Sequence, residues 1–282
     1  MVGVIPLALA VCAVALAWVA PALMARQTRF RRAPRAALVA WQAVTVGGIV
    51  AALATAPAAV PWLIGADHPL RHVGVVAVAT VASGVVLARL LVSGHLVGTR
   101  LRAMRADHRE LVDIIAAHDQ RVRVLQHPTP TAYCIPGRQS RVVLSQGVLD
   151  ALPPDQLAAV VAHEDAHLRA RHDLLLEFFT VAHQSVPRAL RSESALAEVR
   201  LLVEALADRA AVRESGEVAT ARALLTIAEG RAPEAALGAG TTAPVRMRLL
   251  AAGPHPVLSA VAYAYAAAAC VVPVVLLVLA WS

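Results

Sequence analysis

Four stretches of this chain are long, apolar and almost free of charge, and they constrain its fold more than any other feature. A helix needs about 20 apolar residues to cross a bilayer. Residues 1–25, 36–66 and 257–281 carry no Asp, Glu, Lys or Arg, and residues 73–97 carry only Arg89. In hydrocarbon the backbone must satisfy its own hydrogen bonds, and a helix does so within one segment. The expected architecture is mostly α: a polytopic membrane protein with about four spans, near 2–25, 36–58, 73–97 and 257–282. Pro57 and Pro61 are expected near the far end of the second span, and Asp67, His68, Arg71 and His72 in the loop after it. Arg89 is placed to snorkel to an interface, and Tyr263, Tyr265 and Trp281 to anchor the last span. Residues 1–25 lack the basic start of a secretory signal, so they read as a span.

Basic residues then orient the spans. Arg26, Arg29, Arg31, Arg32 and Arg35 follow the first apolar run, and Arg100, Arg102, Arg105 and Arg109 follow the third. The positive-inside rule puts both clusters in the cytoplasm, and the two placements agree because two spans separate them. The N-terminus is then outside, residues 101–256 are cytoplasmic and the C-terminus is outside, in a multi-pass plasma-membrane protein. Cys12 and Cys270 fall in spans and Cys134 on the reducing side, so no disulfide framework is expected. The formal charge of +7 could suggest nucleic acid, but only 4% of residues are aromatic and the charges sit beside apolar runs. No direct nucleic-acid binding is expected.

Residues 101–256 suffice for one small α+β domain. A helix is expected to continue through 101–119. Strands are expected at 121–125, 132–137 (broken by a turn) and 141–145, followed by a helical 148–149. Residues 174–186 read as a buried or membrane-surface helix ending at Pro187, 188–198 as a polar connection, 219–228 as helical within a loop-rich 214–253, and 245–250 as a short basic amphipathic helix. The strand residues Tyr133, Cys134 and Ile135 could offer an edge on which an extended peptide lies. A purely structural sheet accounts for them equally well.

The chemistry sits in His163-Glu164-Asp165-Ala166-His167. At 3.6 residues per turn, two histidines four apart leave a helix on one face and can grip a single Zn²⁺. Glu164, beside them, can take a proton from the attacking water as general base. Pro153, Pro154 and Asp155 supply a helix start. A catalytic zinc needs a third protein ligand, and Glu204 can supply it. Asp208, one turn on, can hold the second ring nitrogen of a ligand histidine. The rival reading of Glu204 and Asp208 is a solvated helix face, which Arg200, Arg209 and Arg213 make credible. His172 follows His167 by five residues, about 500° along a continuous helix, and points off the metal face. His172, Glu177 and His183 are therefore read as structural.

Residues 133–137, 142–149, 157–173 and 204–208 together resemble the BlaR/MecR family of membrane metallopeptidases, most closely over His163–Asp173, HEDAHLRARHD. The resemblance implies a gluzincin-like fold and a cytoplasmic metalloprotease holding one catalytic Zn²⁺. It implies His163, His167 and Glu204 as ligands, Glu164 as base and Asp208 behind a ligand histidine. It also implies signalling, through cleavage of a small DNA-binding repressor of the BlaI/MecI kind. Antibiotic-sensing members carry a large extracellular penicillin-binding domain after the last span; this sequence ends at Ser282, so β-lactam sensing by that route is not expected. Two other readings stand beside this one: a membrane-protein quality-control or prenyl-protein-type zinc protease, and a non-catalytic zinc-binding receptor or scaffold. The oxyanion donor is left open among Tyr133, Arg246 and the histidines.

Overall fold

The computed structural model describes residues 4–64, 72–115, 117–119, 122–137, 140–230, 242–253 and 255–282. Asp67, His68 and Arg71 of the expected outer loop, Arg121 of the first strand, and Pro233, Gly238 and Gly240 lie outside them. The chain divides into two compact units: Met1–Val97, Phe179–Val199 and His255–Ser282 in one, Gly98–Phe178 and Arg200–Pro254 in the other.

The first unit is helical. Helix α1 (Val4–Val14), one π turn (Ala15–Val19) and α2 (Ala20–Arg26) form a single run. The π turn precedes Pro21, whose ring nitrogen cannot close an ordinary helical bond. Helix α3 (Pro34–Ile64) continues through both Pro57 and Pro61, six residues beyond the expected end at 58. Prolines are tolerated inside membrane helices, where neighbouring groups take up the freed carbonyls. Helix α4 (Val73–Ile115) enters this unit with its first part, and α11 (Pro256–Ala280) closes the chain. Among the described residues four helices, Val4–Arg26, Pro34–Ile64, Val73–Ile114 and Pro256–Ala280, are long and apolar enough to cross a bilayer.

Small residues let these helices approach. Ala36, Ala40 and Ala43 of α3 share a cluster with Ala262, Ala266 and Ala269 of α11. Hydrocarbon gives helices no hydrophobic reason to associate, so close packing through small side chains takes that role. The approach is tightest at Gly47, where an added Cβ would stand 2.2 Å from the Ala269 carbonyl oxygen. Gly47→Leu is therefore expected to cost more than the ~1–3 kcal/mol of ordinary overpacking, read as a lowered thermal midpoint in detergent. An unchanged midpoint would mean that α3 and α11 do not depend on this contact. Polar links also tie the unit: Ser83 donates to the Ala52 carbonyl at 2.8 Å, Ser93 to that of Val181 at 2.9 Å. Arg31, from the basic cluster, grips the buried Glu198 with Nε at 2.8 Å.

The second unit holds a four-stranded sheet of order β1-β2-β4-β3, with β1 Ala117–Asp119, β2 Val122–Leu125, β3 Ala132–Ile135 and β4 Arg141–Ser145. β2 and β4 are parallel, and the outer pairs are antiparallel. The expected helix through 119 stops at Ile115, and Ala117–Asp119 pairs with β2 instead. β3 is an outer strand, with Cys134 opposite Val142. β4 is buried at all five positions; its Arg141 donates to Asp113 at 2.8 Å through Nη2, which makes that burial affordable. Ser145 then caps α5 (Gln146–Ala151) by accepting from the Val148 N–H at 3.1 Å. Gly147 is obligatory, since a Cβ there would lie 1.9 Å from the Pro128 oxygen.

Helices α6 (Pro154–Arg169), α7 (His172–Ser185), α8 (Glu193–Ser215), α9 (Glu217–Gly230) and α10 (Ala243–Ala251) complete the chain. The expected polar connection 188–198 is cut short, because α8 begins at Glu193. Ser192 starts it by accepting from the Ala195 N–H at 3.2 Å, an N-cap contact.

Candidate metal centre

Helix α6 is built as its sequence suggests. Pro154 occupies the first turn, where no helical N–H bond is lost, and Asp155 faces the positive end of the helix dipole. Ala159 and Val160 pack against Val142, Leu144 and Val148 from the sheet and α5, which fixes the helix on one side. His163 and His167, one turn apart, bring their Nε2 atoms to 3.1 Å of each other. Helix α8 supplies the third group: Glu204 Oε2 lies 3.5 Å from His163 Nε2, and Oε1 lies 3.6 Å from His167 Nε2. Tetrahedral zinc with bonds near 2.0–2.1 Å sets its ligand atoms about 3.3 Å apart. The three observed separations bracket that edge length. His163, His167 and Glu204 are the set of metal-capable side chains that converges among the described residues.

The outer contacts orient those groups. His163 Nδ1 donates to Asp208 Oδ1 at 3.0 Å, which leaves the lone pair on Nε2, toward the other two groups. Asp208 is nearly sealed, with 3% of its side chain exposed against 34% for Glu204, so Asp208 serves the histidine while Glu204 borders open space. Arg246, from α10, ties both carboxylates: Nε donates to Asp208 Oδ2 at 2.8 Å, Nη2 to Oδ1, and Nη1 reaches Glu204 Oε2 at 3.0 Å.

His172 is the residue whose placement differs most from the helical extrapolation. α6 ends at Arg169 and Arg171 adopts a left-handed φ of 51°, so the 500° argument does not apply across the break. The chain turns, and His172 Nδ1 comes to 3.0 Å from His167 Nδ1. A metal on His167 Nε2 requires the proton on Nδ1, and His172 is placed to accept it. His172 is thus outside the converging set but adjoins it. Glu177 lies 3.4 Å from Arg105, and His183 pairs with Glu193 at 3.0 Å. Of the oxyanion candidates, Tyr133 has its hydroxyl 3.1 Å from His108 Nε2, while Arg246 adjoins the converging set through Glu204.

Electrostatics distinguish the groups. Burial raises Glu164, and the charge of Glu204 adds to this, while His163, a hydrogen bond from Cys134 and Arg246 oppose it; the net is a carboxyl with increased proton affinity. Burial and the Glu164 carboxylate likewise push the Cys134 thiol up. Without metal, burial pulls His163 down, but hydrogen bonds to Asp208 and Glu204 outweigh it and raise His163 to about 9. Burial lowers His167 to about 4. Glu204 would rise by burial, but His163 and Arg246 bring it to about 2. Between those values, one proton, on His163, competes with a metal. Its competition is complete well below the raised pKa and fades as pH climbs through it. Apparent zinc affinity is therefore expected to increase about tenfold per unit between roughly pH 6 and pH 8, measured against a chromophoric chelator. A pH-independent affinity would remove His163 from the competing groups.

Residues 99–236, just under half of the chain, match the model for peptidase family M48. The match spans the strands, α6, α7 and α8, and so covers the histidine pair, Glu204 and Asp208. It supports a zinc metallopeptidase. No solved structure matches the chain.

Proposed function

We propose that this chain is an integral membrane zinc endopeptidase that hydrolyses peptide bonds in the cytoplasm. The observation that carries the reading is the convergence of His163, His167 and Glu204 at separations of 3.1, 3.5 and 3.6 Å, close to a tetrahedral edge, with Glu164 beside them on α6. Zinc in that set would polarise the scissile carbonyl and acidify the attacking water. The chain's own residues do the rest. Glu164, with its raised proton affinity, accepts the proton of the water and returns it to the leaving amine. Asp208 keeps the His163 proton on Nδ1, and Arg246 keeps both carboxylates ionised and in place. Glu164 also argues for an enzyme over a receptor or scaffold, since a structural zinc site has no use for a neighbouring base. β3 is an outer strand, and Tyr133, Cys134 and Ile135 there can pair with an extended substrate.

The physiological substrate is a small DNA-binding repressor of the BlaI/MecI kind, a reading supported by the BlaR/MecR-like motifs. New protein N-termini are compared in cells expressing the parent chain or Glu164→Gln. Termini in such a repressor, present only with the parent, would support signalling; cuts spread through membrane proteins would replace it with quality control. The orientation is tested separately: a C-terminal tag should be cleaved by protease added outside intact cells, and its protection would reverse the topology.

A further inference from the structure

A second site lies in the helical unit, where nothing in the hydrolytic reading uses it. A cavity of about 370 Å³, within the size range of ligand pockets, is walled by the end of α1, the π turn, α2, α3, α4, the end of α7 and the start of α8. Its wall is almost wholly apolar and includes Trp18 and Trp41. Arg89, Arg191 and His183 also line it, and no Asp or Glu does. Arg191 donates to the Val186 carbonyl at 3.0 Å and to that of Gln184 at 2.7 Å, and Arg89 donates to that of Ser185. Both guanidiniums thus cap the C-terminal end of α7, and neither is ion-paired among the described residues. His183 is paired with Glu193, whose carboxylate faces solvent.

Two positive charges at the rim of an apolar cavity, in helices able to span a bilayer, call for an anionic amphiphile. Arg89 lies within a membrane-length helix, where an arginine without a counter-ion is costly and marks a functional position. At about 1.5 Å per residue, Trp18 lies ~12 Å of helix before Arg26 and Trp41 ~9 Å after Arg35. The cavity therefore reaches toward the basic end of the bundle, on the side expected to face the cytoplasm, whose leaflet is rich in anionic lipid, and continues deeper into the spans at Ala13 and Ala52. We propose that this cavity binds an anionic phospholipid, with an acyl chain between Trp18 and Trp41 and the phosphate on Arg89 and Arg191.

The test uses the full chain with Trp62→Phe and Trp281→Phe. The protein has four tryptophans, so Trp18 and Trp41 then report alone. It is placed in phosphatidylcholine nanodiscs containing a minor share of either phosphatidylglycerol or phosphatidylcholine with brominated chains. Brominated phosphatidylglycerol is expected to quench at a roughly ten- to thirtyfold lower mole fraction, about fivefold for each guanidinium. Arg89→Gln with Arg191→Gln should bring the two lipids to within about twofold, while Arg89→Lys with Arg191→Lys should keep much of the preference. Equal quenching in the parent, or a preference that survives the glutamines, overturns the proposal. If the glutamine pair does not fold, the parent comparison and the lysine pair still decide: guanidiniums that only cap α7 give no preference for phosphatidylglycerol in either.

Discussion

Glu164→Gln is expected to leave zinc bound and to lower peptide hydrolysis by about 10²–10⁴-fold, the contribution of a general base. Metal retention follows from geometry, since the converging atoms belong to His163, His167 and Glu204 and not to Glu164. The loss follows from chemistry. An amide of the same shape can keep a contact with Cys134 but cannot accept and return a proton. Burial and the Glu204 charge raise the proton affinity of Glu164, so its basic form is present at high pH and lost as pH falls through that raised value. Activity in the parent chain should decline on the acid side through the same titration. The checks are zinc content by mass spectrometry and turnover of a fluorogenic peptide on the same samples. Full turnover by the variant would give the proton transfer to another group; loss of zinc along with turnover would make Glu164 a structural part of the site.

The parts of this site that could be read from sequence are those set by helical period. His163 and His167, and Glu204 and Asp208, each stand four apart, so each pair faces one way wherever its helix lies. His172 is not legible in this way, because the helical period holds only along an unbroken helix and nothing in Arg-Ala-Arg-His-Asp announces that a non-glycine residue, Arg171, will take a left-handed φ. Arg246 falls in what reads as a basic amphipathic helix, but its two carboxylate partners lie about 40 residues upstream, beyond any local pattern. The contact of Cys134 with Glu164 likewise needs the strand and α6 to be placed together. The α8 start carried a readable signal: Ser192 before Glu193 is an N-cap, which the polar character of 188–198 obscured. The apolar runs were legible for a simpler reason, since length and absence of charge suffice. The continuation of α3 past Pro57 and Pro61 was not, because proline ends helices in water more readily than in lipid.

Glu204→Ala tests the other half of the centre and should remove metal as well as activity. Loss of a residue that hydrogen-bonds a metal ligand typically lowers metal affinity by about 10–100-fold, so loss of a group facing the metal should exceed the upper end of that range. The rest of the cluster makes the effect larger. With Glu204 gone, Arg246 keeps only Asp208, and its Nη1, 3.0 Å from Glu204 Oε2 in the parent, loses its partner beside the vacated position. A cation so placed repels a divalent metal from the two remaining histidines. His163 also loses one of the two hydrogen bonds that hold its proton, so its raised pKa should fall while Asp208 still supports it. Zinc affinity should then drop but become less sensitive to pH between roughly pH 6 and pH 8, a combination that unfolding does not give. Circular dichroism separates the cases: an unchanged helical signal with reduced zinc supports Glu204 as ligand. Unchanged zinc content, with the fold intact, would move the third ligand to another group.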